Sequence, residues 1–261
     1  SYTLNNGVQL VAFHPLILGT FQNRMEKMNF IVDLVVTRHL TTFTHSVMVS
    51  YLAEAIGKHI LAARPELLRI PSSYLEGNVY ASPAEVLDYI VPAALFHDIG
   101  KNGMIPIINT QHRKLNDYEF NIIQTHPQKG SDYLSSDPDF LIYQPVALGH
   151  HRSYDGTRGY PLSFDNTASP YRDAIDLIHI CDCLDAATDY LSRNYHRAKP
   201  FDVVLDELKA GRGTEYNPDM VDVILSDREL YNDLKMLTEQ NRENIYYDIY
   251  LTFVNLRKKR Q

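Results

Sequence analysis

Residues 82–101 read SPAEVLDYIVPAALFHDIGK, and this stretch decides the fold. Ser82-Pro83-Ala84-Glu85 is a capping box with proline at the first helical position, a strong signal for a helix N-terminus. Val86, Ile90, Ala94 and His97 then recur at helical spacing, so one face is buried, and Gly100 supplies the stop. The anomaly is that a buried stripe ends in His97-Asp98. An ionised carboxylate taken out of water costs several kcal/mol unless it is paired or binds a cation.

The same pattern recurs outward in both directions. A helix is expected over about 41–63, with Val49, Leu52, Ile56 and Ile60 on its apolar stripe and His45 on that same stripe. Asn116-Asp117-Tyr118-Glu119 opens a short helix as Ser82 does. Ser169-Pro170 opens another, whose inner face holds Ile175, Ile178, Asp182 and Ala186. Asn217-Pro218 starts a further one, with Val221, Ile224 and Leu225 to bury. Strand alternation is scarce. Residues 64–81, 101–115 and 152–169 are irregular, and the last is loop by its Gly, Asp, Ser and Pro content. The fold class expected is all-α, a helical bundle with polar residues in its core. Residues 1–40 read as an N-terminal helical leader or extra layer, and 41–261 as one domain.

Composition narrows the function classes. The chain has 261 residues, 44% of them hydrophobic, which is enough to bury a core without disulfide staples. The formal net charge of −7 excludes a surface that coats DNA, but leaves room for a local basic pocket. Cys181 and Cys183 flank Asp182; on a helix their side chains diverge, so neither a disulfide nor a shared zinc is expected, and the free thiols fit a reducing cytoplasm. Apolar runs such as 31–36, interrupted by Asp33, are far too short to span a bilayer, and no signal peptide is legible. The chain begins Ser1-Tyr2-Thr3 without Met, as an excised fragment would. The basic tail Arg257-Lys258-Lys259-Arg260 suits a fraying helix C-terminus.

A lone core histidine is usually just hydrogen-bonded, but here there is a constellation. His45, His97, His126, His150 and His151 all fall on buried stripes or helix ends, with Asp98 and Asp182 to match. Imidazole with carboxylate suits iron, manganese, zinc, cobalt or nickel. The set is too large for one four-coordinate zinc and about right for two metals sharing a bridging aspartate. Two metals roughly 3.5–4 Å apart suit phosphate-ester hydrolysis. Lys101 stands where its ammonium reaches a phosphate oxygen, or, in the plainer reading, where it complements the helix dipole.

These residues resemble the HD-domain phosphohydrolases, and within them the HD-GYP subgroup. His97-Asp98-Ile99-Gly100-Lys101 matches its HD-x-GK signature, and His126-Pro127 with Gly130 its HPxxG motif. His150-His151, Asp155-Gly156 and Gly159-Tyr160-Pro161 follow the HHExxDGxGYP pattern, Asp182-Cys183-Leu184-Asp185-Ala186 the DxxDA segment, and Thr44-His45-Ser46 the first histidine motif. The resemblance runs from about His45 to Leu225. It implies an all-α HD-domain bundle with a metal site in its core, and a cytoplasmic bacterial phosphodiesterase that hydrolyses cyclic di-GMP to pGpG or GMP. It further implies two divalent ions, iron or manganese first, with zinc, cobalt or nickel compatible. One ion would sit on His45, His97, Asp98 and Asp182, and the other on Asp98, His126, His150 and His151. Asp98 and Lys101 would be the catalytic residues, with Lys101, Arg193, Arg197, Tyr160 and Arg152 as substrate contacts. Partners implied are a cyclic dinucleotide, an upstream sensor or receiver domain, and a diguanylate cyclase, with no DNA and no membrane insertion.

Four departures from the family pattern stand out. Arg152 occupies the place of a glutamate, and is read as a phosphate contact or as a salt-bridge partner of Asp155 or Asp165. Arg158 is inserted before Gly159, and the segment from Asp182 to Arg193 is about two residues longer than usual. Thr41 stands where three-metal members carry a glutamate, which favours two metals. Asp185 is read as a local helix hydrogen-bond partner, and Tyr160 either as packing or as a substrate contact. Two other readings stay open beside the cyclic di-GMP enzyme: hydrolysis of another cyclic dinucleotide or nucleotide, and a weakly active regulatory module that binds the dinucleotide.

Overall fold

The computed structural model describes residues 21–28, 30, 40–72, 79–104, 115–191 and 198–258, together with two-residue strands β1 (Tyr2–Thr3) and β2 (Gln9–Leu10), which pair antiparallel. The rest of the described chain is helix and connection, as expected of an all-α protein. The helices are α1 (Leu40–Ala63), α2 (Pro83–Phe96), α3 (Asp117–Ile123), α4 (His126–Ser135), α5 (Gln144–Gly149), α6 (Arg172–Thr188), α7 (Phe201–Ala210), α8 (Pro218–Ser226), α9 (Arg228–Lys235) and α10 (Arg242–Lys258). No helix among the described residues is long and apolar enough to cross a membrane.

Helices α1 and α6 form the centre and pack on each other and on α2. The stripe read in α1 is the buried one: Val49, Leu52, Ile56 and Ile60 are fully enclosed. Helix α6 is buried nearly all round, from Ala174 through Leu184, as an inner helix must be. One apolar cluster runs through these helices and out to Leu230 and Leu234 of α9. A smaller one joins Met48 of α1 to Ile245 and Ile249 of α10.

The helix starts follow the expected chemistry at three places. Ser82 and Glu85 form the capping box of α2, Asn116 and Glu119 that of α3, and the Asn217 side chain accepts from the amides of Asp219 and Met220. Two boundaries differ from expectation. Helix α2 ends at Phe96, and residues 99–103 tighten into a 3-10 turn that carries Gly100 and Lys101. Helix α6 opens at Arg172 rather than at Ser169-Pro170, because Asn166–Ala168 forms its own 3-10 turn and the Ser169 hydroxyl accepts from the Tyr171 amide.

Two glycines set the approach of elements around the centre. A Cβ on Gly100 would lie 1.9 Å from the His126 carbonyl oxygen, so only glycine lets the 99–103 turn meet the start of α4 backbone to backbone. Gly159 has φ +85, and a Cβ there would lie 1.8 Å from the His151 carbonyl oxygen. Of the first forty residues, Lys27 pairs with Asp137 and with Asp139 at 2.7 Å, and Arg24 donates to the Tyr143 hydroxyl.

Candidate metal centre

The expected ligands arrive from five elements. His45 lies in the second turn of α1, His97 caps the C-terminus of α2 with Asp98 beside it, and His126 is the first residue of α4. His150 caps the end of α5, followed by His151, and Asp182 projects from the middle of α6. The short helices matter because a residue at a helix end turns its side chain inward while the helix itself runs away from the centre. All these groups are buried except His151, which is 22% exposed.

They assemble into two adjoining groups. Asp98, His126, His150 and His151 form one, and His45, His97 and Asp182 the other, with the ligand atoms in each within 4.8 Å of one another. Asp98 faces both. Its Oδ1 lies 3.1 Å from His126 Nε2 and 3.8 Å from His150 Nε2, while its Oδ2 lies 3.6 Å from His97 Nε2 and 3.7 Å from His45 Nε2. Asp182 also reaches across, with Oδ1 3.0 Å from His45 Nε2 and Oδ2 3.7 Å from His151 Nδ1. The sequence reading gave Asp182 to one group alone, and this second contact is new.

The imidazoles are held in ligand orientation. His97 Nδ1 donates to the Ala94 carbonyl at 2.6 Å, His126 Nδ1 to Ile123 at 2.7 Å and His150 Nδ1 to Ala147 at 2.9 Å. A carbonyl only accepts, so each Nδ1 carries the proton and each Nε2 lone pair points inward. The result is a set of buried acceptors without donors. His97 Nε2 has no hydrogen-bond partner, and His126 Nε2 and His150 Nε2 face each other at 3.2 Å. Buried polar atoms are rarely left in this state, and a cation among them satisfies all at once.

The electrostatics agree. Burial opposes ionisation of Asp98, but Lys101 and the surrounding histidines hold its carboxyl well below the usual range. Burial also opposes Asp182, whose carboxyl the His45 hydrogen bond and nearby imidazoles hold well below. Burial lowers His97, and with neighbouring imidazoles it depresses His150 strongly; burial likewise holds His151 well below its ordinary value. These are the protonation states metal binding requires. His45 is the exception: burial lowers it, but Asp182 and Asp185 outweigh that and raise it from 6.5 to about 9. The donor set of imidazoles and ionised carboxylates fits a divalent metal, and the centre is a divalent-metal-binding site.

The other candidate residues fare differently. Lys101 lies at the edge of the centre, its ammonium hydrogen-bonded to Asp98 Oδ2 and 18% exposed. The Tyr160 ring stands 4.5 Å from that of His151 and 6.4 Å from half-exposed Phe120. Arg193 and Arg197 lie outside the described residues. Cys181 and Cys183 join neither group.

The Arg152 side chain is only 4% exposed and donates to the carbonyls of Gly156, Arg158 and Gly159, so the guanidinium ties the loop together. It makes no close ion pair with Asp155 or Asp165, though, after the hydrogen bonds from Thr167, its charge helps hold the Asp165 carboxyl below its ordinary value. Asp185 is a correction. It makes no local helix bond with its side chain but accepts from His45 Nδ1 at 2.6 Å and from Arg242 at 2.7 Å. Sequence reasoning also missed Arg242 and His179. His179 Nδ1 donates to the His150 carbonyl at 2.6 Å, with Nε2 3.2 Å from Glu215. Arg242 carried no signal, since it sits in a polar run, Glu239-Gln240-Asn241-Arg242-Glu243, that reads as surface. His179 could have been found from its i, i+3 spacing to Asp182 on a buried helix.

The comparisons with known proteins bear on the whole arrangement. The chain is 26% identical over 210 residues to a cyclic di-GMP phosphodiesterase of Vibrio cholerae, covering 76% of this chain and 41% of that protein. It is 33% identical over 146 residues to the cyclic di-GMP phosphodiesterase response regulator RpfG of Xanthomonas campestris, covering 55% of this chain and 37% of that protein. It is 25% identical over 203 residues to the 3'3'-cGAMP-specific phosphodiesterase 2 of Vibrio cholerae, covering 77% of this chain and 37% of that protein. The chain thus spans about two-fifths of the length of the curated relatives it matches. Residues 42–194, which hold every histidine and aspartate of the two groups, match the family model for the HD domain, and the chain belongs to that family.

Proposed function

We propose that this chain is the catalytic domain of a phosphodiesterase of the HD-GYP subgroup, and that it hydrolyses cyclic di-GMP to pGpG or GMP. The observation that carries the reading is Asp98, whose two oxygens divide between the two imidazole groups. One ion would be held by Asp98, His126, His150 and His151, and the other by His45, His97, Asp98 and Asp182. Two divalent ions, iron or manganese first, supply Lewis acidity and an activated water when bound there.

The chain's own residues do the rest. Water adds to phosphorus, the bond to the ribose 3' oxygen breaks, and that oxygen takes up the proton. Lys101 neutralises charge that develops on the non-bridging oxygens, which Asp98 holds it in place to do. Tyr160 and Phe120 form an aromatic wall at the edge of the centre, a surface on which a purine stacks. Arg193 and Arg197 are candidates for guanine or phosphate contacts. Arg152 has a different part, holding the Gly156–Gly159 loop that carries Tyr160.

A second substrate, the mixed cyclic dinucleotide 3'3'-cGAMP, is favoured by the relative specific for it, whose match covers as much of this chain as that of the cyclic di-GMP enzyme. A receiver or sensor domain and a diguanylate cyclase are proposed as partners on the strength of the same family.

The test is one experiment. Protein purified without oxygen is analysed for metals and incubated in parallel with cyclic di-GMP and 3'3'-cGAMP. The expected result is about two metals per chain and faster conversion of cyclic di-GMP. Faster conversion of 3'3'-cGAMP moves the assignment to the second substrate. Metal-loaded protein that turns over neither overturns the proposal.

A further inference from the structure

The histidines of the centre are oriented in two ways. His97, His126 and His150 use the carbonyl three residues before them, which their places at helix ends leave within reach. His45 stands inside α1, where the preceding carbonyls are committed to the helix. Its Nδ1 partner comes from another helix: Asp185, one turn beyond Asp182 on α6. The two aspartates therefore grip opposite edges of one imidazole, Asp182 at Nε2 and Asp185 at Nδ1.

Asp185 is fully buried and is itself held. The guanidinium of Arg242, in the first turn of α10, donates to its Oδ1 at 2.7 Å. Arg242 is 0% exposed, and its other donors are used on Thr188 Oγ1 at 2.9 Å, the Thr238 carbonyl at 3.1 Å and the Tyr246 hydroxyl at 3.3 Å. The Thr238 carbonyl lies in the π-helical turn Met236–Gln240 that leads into α10. A fully desolvated guanidinium is expensive, and well-packed apolar residues would serve stability as well or better. What they would not do is fix the direction of a carboxylate.

We infer that Arg242 is a positioning residue for the metal centre: through Asp185 it holds His45 with Nε2 turned toward Asp98 and Asp182. The C-terminal helix is then part of the metal site without supplying a ligand. The inference rests on the reading of His45 as a ligand. Truncating such a support lowers metal affinity about 10- to 100-fold. The loss falls on the ion beside His45, because His126 and His150 of the other group are oriented by carbonyls of their own chain segments.

The test is Mn2+ titration of the full chain, wild type against Arg242→Gln and Arg242→Lys, with Co2+ absorption spectra as a second readout. Folding of each variant is checked by circular dichroism. The expected result is that folded Arg242→Gln binds one of two ions about 10- to 100-fold more weakly with a changed Co2+ spectrum, and that Arg242→Lys restores part of the affinity. If Arg242→Gln does not fold, Asp185→Asn is used, and the same selective loss is expected. Two ions bound with wild-type affinity and spectrum in a folded variant overturn the inference and leave the metal reading intact. Equal loss of both ions, without rescue by lysine, also overturns it and marks Arg242 as a fold residue. A wild type that binds no ion overturns both.

Discussion

The two halves of the centre are built by different means. The group around His126 and His150 is assembled from short-range geometry: helix ends, carbonyls three residues back, and a glycine that lets two backbones touch. In the group around His45, His97 is held by the carbonyl three residues back, but His45 itself is held at long range, through Asp185 on α6 and Arg242 on α10. Short-range construction makes a half-site that depends on local turns. Long-range construction makes a half-site that depends on how distant helices dock. Asp98 belongs to the first group, but its Oδ2 faces His97 and His45 of the second and so links the two.

The strongest way to break the comparison is to remove that tie. If the proposed two-ion arrangement holds, Asp98→Ala should lose both ions and at least about 10³-fold in turnover, since each ion would lose an anionic ligand. Elemental analysis and product assays read this directly. Full activity in that variant would sink the two-metal reading.

A substitution aimed at the short-range half comes next. Gly100→Ala forces a methyl group against the His126 carbonyl and Gly130 amide. It should destabilise the protein by about 2–4 kcal/mol, in the range of overpacking a tight site. It should weaken the ion on His126 and His150 while the His45 group keeps its own. A thermal melt with a metal titration measures both, and an unchanged titration would count against the division into halves.

Lys101→Ala should spare both ions and lower kcat/KM about 10²- to 10³-fold, as loss of one charge-stabilising donor does. Loss of metal in that variant would make Lys101 a support of Asp98 and remove it from the chemistry.

The smallest effect concerns a carboxyl outside both halves. Burial pushes the Asp176 carboxyl up from 3.8 to about 7, against the pull of the Asn217 amide and Arg172. The folded state then binds more protons than the unfolded one between those values, so this group lowers stability as pH rises from about 4 through 7. Asp176→Asn should melt a few degrees above wild type at pH 8 and show little difference at pH 4. Each kcal/mol recovered is worth about 2–4 °C in a chain of this size. An equal difference at both pH values would refute the assignment.

What was legible in the sequence divides along the same line. The helix starts at Ser82, Asn116 and Asn217 were readable because capping is local chemistry. The histidines and aspartates of the two groups were readable because polar residues on an apolar stripe have to be explained. Asp185 was misread because its partners lie 140 and 57 residues away, on other helices. Arg242 was invisible because nothing local distinguishes a buried arginine from an exposed one in a polar run. The hold of Arg152 on its loop was not readable for a related reason: a cation beside a metal site suggests phosphate, whereas its Nη1 and Nη2 groups donate to the loop's own carbonyls. The start of α6 slipped because the 3-10 turn at Asn166–Ala168 competed for Ser169.

The central claim is that Asp98 sits between two adjacent cations. The most direct measurement is anomalous diffraction from crystals of the manganese-loaded protein. Two peaks about 3.5–4 Å apart on either side of Asp98, the spacing of two-metal hydrolytic sites, are the predicted result. A single peak, or two peaks of which neither touches Asp98, would contradict it.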